Sequence, residues 1–457
     1  MNEIEEAREL LPADNIPTAE QPQIAPEAAQ ETAPAGAAPG KLPATGLPAA
    51  PPKPPFTATY TEFWAALAMY ALAWIWFSID EPAWLPVFVA GFVALTELLH
   101  RKTARARESW FWLGCVLVLT AAVSLQRCNA WDGIGLPLLF LHIFAVWWVL
   151  SRSGRLTEGR SGRLLPLDAL HGFIVFPFKH FFLRIRCIAC KLRRRDGEER
   201  PVNFDAIVWS LIAVVFAALL FAKAVQLLTT ADKGFGTLLE DFTGWLSIEF
   251  NWTKLILSLP VGACAFGLIA GSGREDPEAL RKKGERFDAW LGTLRQVPPL
   301  LFAVLTAVFA LLYLAFFVLQ GRYLFGAFTR TLPEGFIVSE YARQGFFELC
   351  KVMAVNFVLL WLAARLAMQP LRERKLLRAC AAVLLAESLL FAVVAASKLG
   401  LYIDCFGFTP LRLQSFWLVT VLAAGCVCSL ITLFTGKKSF RAWMFFGAAT
   451  LCLLCLY

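Results

Sequence analysis

"SEYARQGFFELCKVMAVNFVLLWLAARLAM", Ser339 to Met368, is long and apolar enough to cross a bilayer as a helix, yet it carries Arg343, Glu348, Lys351 and Asn356. Roughly 20 apolar residues cover about 30 Å of hydrocarbon in helical form. On a helix, Glu340, Gln344, Glu348, Lys351 and Val355 recur at spacings of three or four, so the polar side chains form one stripe opposite the phenylalanines. That stripe is expected to face protein or water, because a charge held against lipid at mid-depth costs about 3 kcal/mol.

Runs of similar length and hydrophobicity recur along the chain. Of 457 residues, 58% are hydrophobic and only 17% charged, with 39 Phe and 16 Trp. That is the composition of an integral membrane protein and excludes a soluble globular domain. The runs predict an all-α, polytopic transmembrane helix bundle of about eleven spans, counted by the length rule. They fall near 61–79, 83–99, 110–126, 133–150, 204–228, 254–271, 299–320, 343–367, 379–403, 413–434 and 441–457.

Residues 1–56 are different material. An acidic start, "MNEIEEAREL", leads into a Pro/Ala-rich stretch that has too little apolar surface to form a core and is expected to be disordered. No basic n-region followed by an apolar run is present, so the tail reads as an uncleaved cytoplasmic arm. The expected organisation is a tail at 1–56, a four-helix membrane region at 57–150, a basic interfacial segment at 151–202 and a seven-helix membrane domain at 203–457.

Lysine and arginine placement orients the spans. "HRKTARAR", Ser151–Arg200, "GREDPEALRKKGERF", "QPLRERKLLR" and "TGKKSFR" hold most of the 43 Lys and Arg, and all five fall on one side if the N-terminus is inside. The positive-inside rule therefore predicts N-inside, C-outside, in a cytoplasmic (inner) membrane. "HGFIVFPFKHFFLRIRCIACKLRRR" contains too short an apolar core to cross and is broken by Pro177 and Lys179. It is expected to lie on the inner leaflet, with Phe173, Phe176, Phe181 and Phe182 in lipid. Arg184, Arg186, Arg193, Arg194 and Arg195 would then sit among anionic headgroups, either as a recognition site or as a plain interfacial anchor.

Motifs for catalysis are absent: no HExxH, GxSxG, P-loop or dinucleotide fingerprint occurs. Nothing calls for a metal, a cofactor or a nucleic acid. The CxxC at Cys187 and Cys190 lacks a second ligand pair, and the Cys452/Cys455 pair lies in an apolar span. Cys128 and Cys405, the only two of the twelve cysteines in predicted outer loops, are the candidates for a disulfide. His171 and His180, separated by Pro177, make a poor metal frame, and "GSGRED" at Gly271–Asp276 reads as a loop before an Asp276-Pro277 helix start.

The charged stripe is the one functional lead. Lys223 in the 204–228 run, and Glu387 and Lys398 in the 379–403 run, are its candidate partners. The functional reading is a polar cavity binding a small or lipid-like molecule through Glu340, Arg343, Glu348, Lys351, Asn356, Lys223, Glu387 and Lys398. The structural reading is a salt-bridged helix interface, with Glu348 and Lys351 satisfying each other at i, i+3. A scaffold or signalling protein engaging a cytoplasmic partner, and a membrane enzyme acting on lipid-linked substrates, are the alternatives; with no catalytic constellation, the enzyme ranks below the others.

The opening stretch also carries a resemblance. Tyr341, Ala342, Arg343, Gly345, Phe346, Leu349 and Asn356 are similar to a Tyr-Ala-Arg-x-Gly-Phe span opening found in a family of bacterial multispanning membrane proteins known only as a domain of unknown function. The resemblance is concentrated in about twenty residues and extends loosely over the helices from 204 to 457. It implies a bacterial cytoplasmic-membrane protein and supplies no activity.

Overall fold

The computed structural model describes residues 56–77, 84–131, 133–193, 252–321 and 338–457, with isolated helical positions between 213 and 224; the side chains at 193, 252, 253, 255 and 338–344 are excepted. Apart from those isolated positions, the expected span at 204–228 lies outside the described residues, as does the tail at 1–55. Among those described, the fold is helical without strands: α1 (Tyr60–Trp76), α2 (Trp84–Leu99), α3 (Arg107–Ser124), α4 (Gly135–Ser153), α5 (Leu165–Leu170), a π turn (His171–Val175), α6 (Phe176–Lys179), α7 (Leu183–Arg193), α8 (Trp252–Arg274), α9 (Pro277–Thr293), α10 (Pro299–Leu319), α11 (Val338–Leu366), α12 (Lys375–Phe406), α13 (Pro410–Thr435) and α14 (Phe440–Leu456).

Local signals set these boundaries. Thr59 and Glu62 form a capping box, Thr59 Oγ1 accepting from the Glu62 amide and Glu62 Oε2 from the Thr59 amide at 2.8 Å. Asp276 caps α9 by accepting from the Glu278 amide at 3.0 Å, ahead of Pro277. Only the last two residues of "GSGRED", Glu275 and Asp276, form a connection, since α8 continues helical to Arg274. Gly154 and Gly436 close α4 and α13 at φ of 69° and 72°, a left-handed conformation that a residue with a Cβ resists.

Among the described residues, six helices are long and apolar enough to cross a membrane: α4, the Ile256–Arg274 part of α8, α10, the Gly345–Leu366 part of α11, α12 and α13. α2 and α14 are apolar but shorter. The chain is a multi-pass membrane protein.

The basic connections gather at one end. Arg105 and Arg152 share Glu97 at 2.9 and 2.8 Å, Arg274 pairs with Glu62 at 2.7 Å, and Arg163 pairs with Asp288. At the opposite end, Asn129 Nδ2 donates to the Tyr457 carbonyl at 2.8 Å. Two apolar cores lie between these ends. The first joins α1–α4, α8 and α14 around Trp148, Phe176 and Phe266, so the helices of 57–150 share a core with later parts of the chain. The second joins α10–α13 around Met353, Leu384, Phe391 and Cys426.

The basic segment departs from the expectation of a surface anchor. It folds as α5, the π turn, α6 and α7, and docks on a glycine face of α8. A Cβ on Gly267 would lie 2.8 Å from the Pro177 carbonyl, and one on Gly262 would lie 2.7 Å from Arg184 Nη1. Arg184 is therefore buried in protein rather than placed among headgroups, donating to the Leu259 carbonyl at 3.3 Å and lying 5.4 Å from the Tyr70 ring. Phe176 is likewise buried in protein, stacked on His171. Sequence periodicity detects the segment's amphipathicity but not the glycine groove that receives it.

Candidate functional site

The second core contains the site. Gly345, Glu348, Leu349 and Val352 of α11, Leu312, Tyr313 and Phe316 of α10, and Phe391 and Lys398 of α12 line a cavity of about 290 Å³. Gly345 and Lys398 are each within a few turns of the helix ends remote from the basic loops, which places the cavity in that half of the bundle.

Helix geometry explains which α11 residues enter. At about 100° per residue, Gly345, Val352 and Asn356 share one narrow face, Glu348 lies roughly 60° to its side, and Lys351 another 60° beyond. Glu348 accordingly occupies the exposed edge of the cavity and Lys351 is exposed outside it. Among the described residues no ion pair joins Glu348 to Lys351. Instead Glu348 acts electrostatically on Lys398, which is fully buried. Gly345 makes that burial feasible: a Cβ there would lie 2.6 Å from Lys398 Nζ.

A buried hydrogen-bond ladder continues from the cavity floor. Tyr313 donates to Asn356 Oδ1 at 2.8 Å, Asn356 Nδ2 donates to Ser388 Oγ at 2.9 Å, and Ser388 donates to the Leu384 carbonyl at 2.7 Å. Each side-chain group is paired, as burial in hydrocarbon requires. The direction of donation leaves a lone pair of the Tyr313 oxygen as an acceptor beside the cavity. Glu387 adjoins Ser388, and its Oε2 is buried without a hydrogen bond among the described residues. The chamber thus brings together an ammonium, a carboxylate and a phenolic acceptor against Phe391, whose ring meets Tyr313 edge-on at 5.2 Å.

The structure brings Glu348, Lys398 and, through Tyr313, Asn356 to one place. Glu387 lies in the same helix-packing region, Lys351 lies outside it, and Lys223 is an exposed helical position. Glu340 and Arg343 belong to the first turns of α11, with side chains outside the described residues. Arg186 is exposed with its guanidinium 5.5 Å from the Phe56 ring; Arg193 ends α7, and Arg194 and Arg195 are outside the described residues. Cys128 and Cys405 are not bonded to each other in the structure: all twelve cysteines are free, Cys405 is exposed, and Cys128 is buried in hydrogen-bonding contact with Cys455. α14 packs against α3 and fills the space beside Cys128. Among the described residues, no group of three His, Cys, Asp or Glu is placed to hold a metal.

Tyr313, Ser388 and the steric role of Gly345 escaped the sequence reading. A lone tyrosine inside "ALLYLAFF" and a serine next to Glu387 were the available signals.

Further buried titratable groups lie at the basic end. Asp168 is pushed up to about 6 by burial, against the pull of donors from Thr157 N and Oγ1 at 2.8 and 2.5 Å. His100 is pushed down to about 4, chiefly by burial. Glu108 accepts from Trp112 Nε1 at 3.0 Å and the Ser161 amide at 3.1 Å and pairs with Arg441 at 3.0 Å, joining α3, the 154–164 connection and α14.

No curated protein and no solved structure matches this chain. A family model described as "Domain of unknown function (DUF4153)" matches residues 113–457, from within α3 to the last helix, and with it the whole Glu348–Lys398 chamber. The chain belongs to the DUF4153 family of unknown function.

Proposed function

We propose that the protein binds, and passes across or along the membrane, a small or lipid-like molecule bearing an acidic group, with the α10–α11–α12 chamber as its site. The observation that carries this reading is the placement of Lys398 and Glu348, from different helices, at one chamber. A buried ammonium in a membrane span is costly and marks a pathway or binding site more often than packing. Lys398 would take the acidic group of the ligand, Tyr313 would accept a hydrogen bond from it, and Glu348 at the edge would hold Lys398 in the empty state.

The same reading places the basic end in the cytoplasm, by the positive-inside rule, with eleven spans in a bacterial inner membrane. The chamber then faces the outer leaflet. Arg186 and Arg193–Arg195 would meet anionic headgroups on the cytoplasmic side.

Native mass spectrometry of gently extracted protein tests the proposal, with wild type beside Glu348→Gln and Lys398→Met. A discrete bound mass in wild type, lost in Lys398→Met and weakened in Glu348→Gln while both variants keep the wild-type helical content, is the expected result. A bound species indifferent to both substitutions, or none in any sample, would leave these charges as packing elements.

A further inference from the structure

A larger cavity, about 720 Å³, lies at the other end of the second core, among α11, α12, α13 and α14. It is within the range of small-molecule and lipid sites, roughly 300–1,000 Å³. Its walls are apolar and aromatic, with Phe357, Trp361, Leu385, Leu422, Leu433 and Trp443 prominent. Its polar contributions are concentrated where the basic connections meet it: Arg295 precedes α10 and Arg372 joins α11 to α12.

These two arginines differ from those that tie the basic end together. Arg152, Arg163 and Arg274 each have a carboxylate partner, whereas among the described residues no carboxylate pairs with Arg295 or Arg372. Arg295 also lies near the cationic Arg365. The Arg372 guanidinium rests on Gly436, so closely that a Cβ there would collide with Nη1. The left-handed turn that ends α13 therefore also clears the place that Arg372 occupies. Small residues keep the interior open: Ala354, Ala364 and Ala381 line the wall, and a Cβ on Gly425 would lie 3.0 Å from Phe357 and 3.1 Å from Trp443.

An apolar slot with two cations at one mouth that no carboxylate among the described residues pairs, at the level of the basic loops, has the polarity of an anionic phospholipid: acyl chain within, phosphate at the rim. We infer that this cavity is a specific site for an anionic phospholipid of the leaflet at the basic end, its phosphate held by Arg295 and Arg372 and one acyl chain inserted between α11 and α13. Planar guanidinium groups suit phosphate recognition. None of these residues belongs to the Glu348–Lys398 chamber, so either site can fail without the other.

The test uses full-length protein in nanodiscs of mixed phosphatidylglycerol and phosphatidylcholine, released for native mass spectrometry, with retained lipids counted by headgroup. Wild type is expected to retain one phosphatidylglycerol in preference to phosphatidylcholine by about tenfold, the preference one good charge-assisted contact pair supplies. Arg295→Gln with Arg372→Gln should abolish the preference. Ala364→Phe, which fills the slot without touching the charges, should remove the retained lipid. Arg281→Gln with Lys282→Gln on exposed α9 makes the same change in net charge elsewhere and should leave retention unchanged. Equal loss in that control would show a diffuse surface attraction and overturn the site. So would retention that survives Ala364→Phe, or a cavity that yields phosphatidylcholine or no lipid in wild type.

Discussion

His100 offers a quantitative test of how the basic end is built. It follows α2, is 2% exposed, and its Nε2 lies 3.0 Å from the Ile269 carbonyl of α8, to which the neutral ring donates. Arg152 donates to the His100 carbonyl at 2.9 Å, and Arg155 donates to the Ser272 carbonyl at 2.8 Å, so two cations lie near the ring, with Glu97 as a nearby anion. Burial is the largest influence and lowers the imidazole from 6.5 to about 4; the Ile269 carbonyl and Glu97 oppose it, while Arg152 and Arg155 add to it. The folded state therefore binds its proton less readily than the unfolded chain. Stability contributed by the neutral ring is present above pH 6.5 and is lost as pH falls toward 4. The full loss is about 3 kcal/mol, of which roughly 2 kcal/mol is gone by about pH 5. His100→Gln retains an amide donor for Ile269 and does not titrate. Unfolding of both proteins in SDS–detergent mixtures, followed by tryptophan fluorescence at about pH 7.5 and about pH 5, isolates the histidine as the difference between their pH responses. Asp168, whose raised pKa makes its contribution larger as pH falls through about 6, cancels in that difference. If the two proteins lose the same stability over this interval, the ring is not held neutral by burial and the packing of α2 on α8 has been misread.

Two further substitutions test the polar interior. Asn356→Leu strands the Tyr313 hydroxyl and removes the donor to Ser388, which keeps its bond to the Leu384 carbonyl, and should cost about 1–3 kcal/mol, more than Tyr313→Phe, which leaves a single acceptor unpaired; equal effects in the same unfolding assay would mean the ladder is not continuous. Glu108→Ala leaves Arg441, Trp112 Nε1 and the Ser161 amide without their shared acceptor and should cost about 3–5 kcal/mol, with part recovered by adding Arg441→Met. No recovery in the double variant would show that the hydrogen bonds, and not the charge pair, carry the effect.

The membrane architecture was legible because transfer of backbone out of water leaves few options, and runs such as "PLLFAVLTAVFALLYLAFFVL" at Pro299–Leu319 allow only a helix. Loop charge was legible for the same reason, and the basic connections do lie at one end. Side-chain partners were less so. The approach from α12 selects Glu348 over Lys351, and no periodicity within α11 reports where a neighbour will lie. Arg184 looked like a headgroup ligand because its pocket is made by Gly262, 78 positions later in the sequence. The neighbour of Cys128 was hidden on the same ground, since it is supplied by α14, more than 300 residues later.

The packing of α14 against α3 bears on how the protein is made. Cys452 meets Cys115 across 337 residues of chain, Phe445 stacks on Phe111, and Arg441 reaches Glu108. At synthesis rates of roughly 5–20 residues per second, α3 leaves the ribosome on the order of tens of seconds before its partner exists. During that interval Glu108 has no arginine and the flank of α3 that α14 will cover faces lipid or the insertion machinery. The early helices must therefore persist as an incomplete bundle, with the α3 flank open, until α14 is made and closes it.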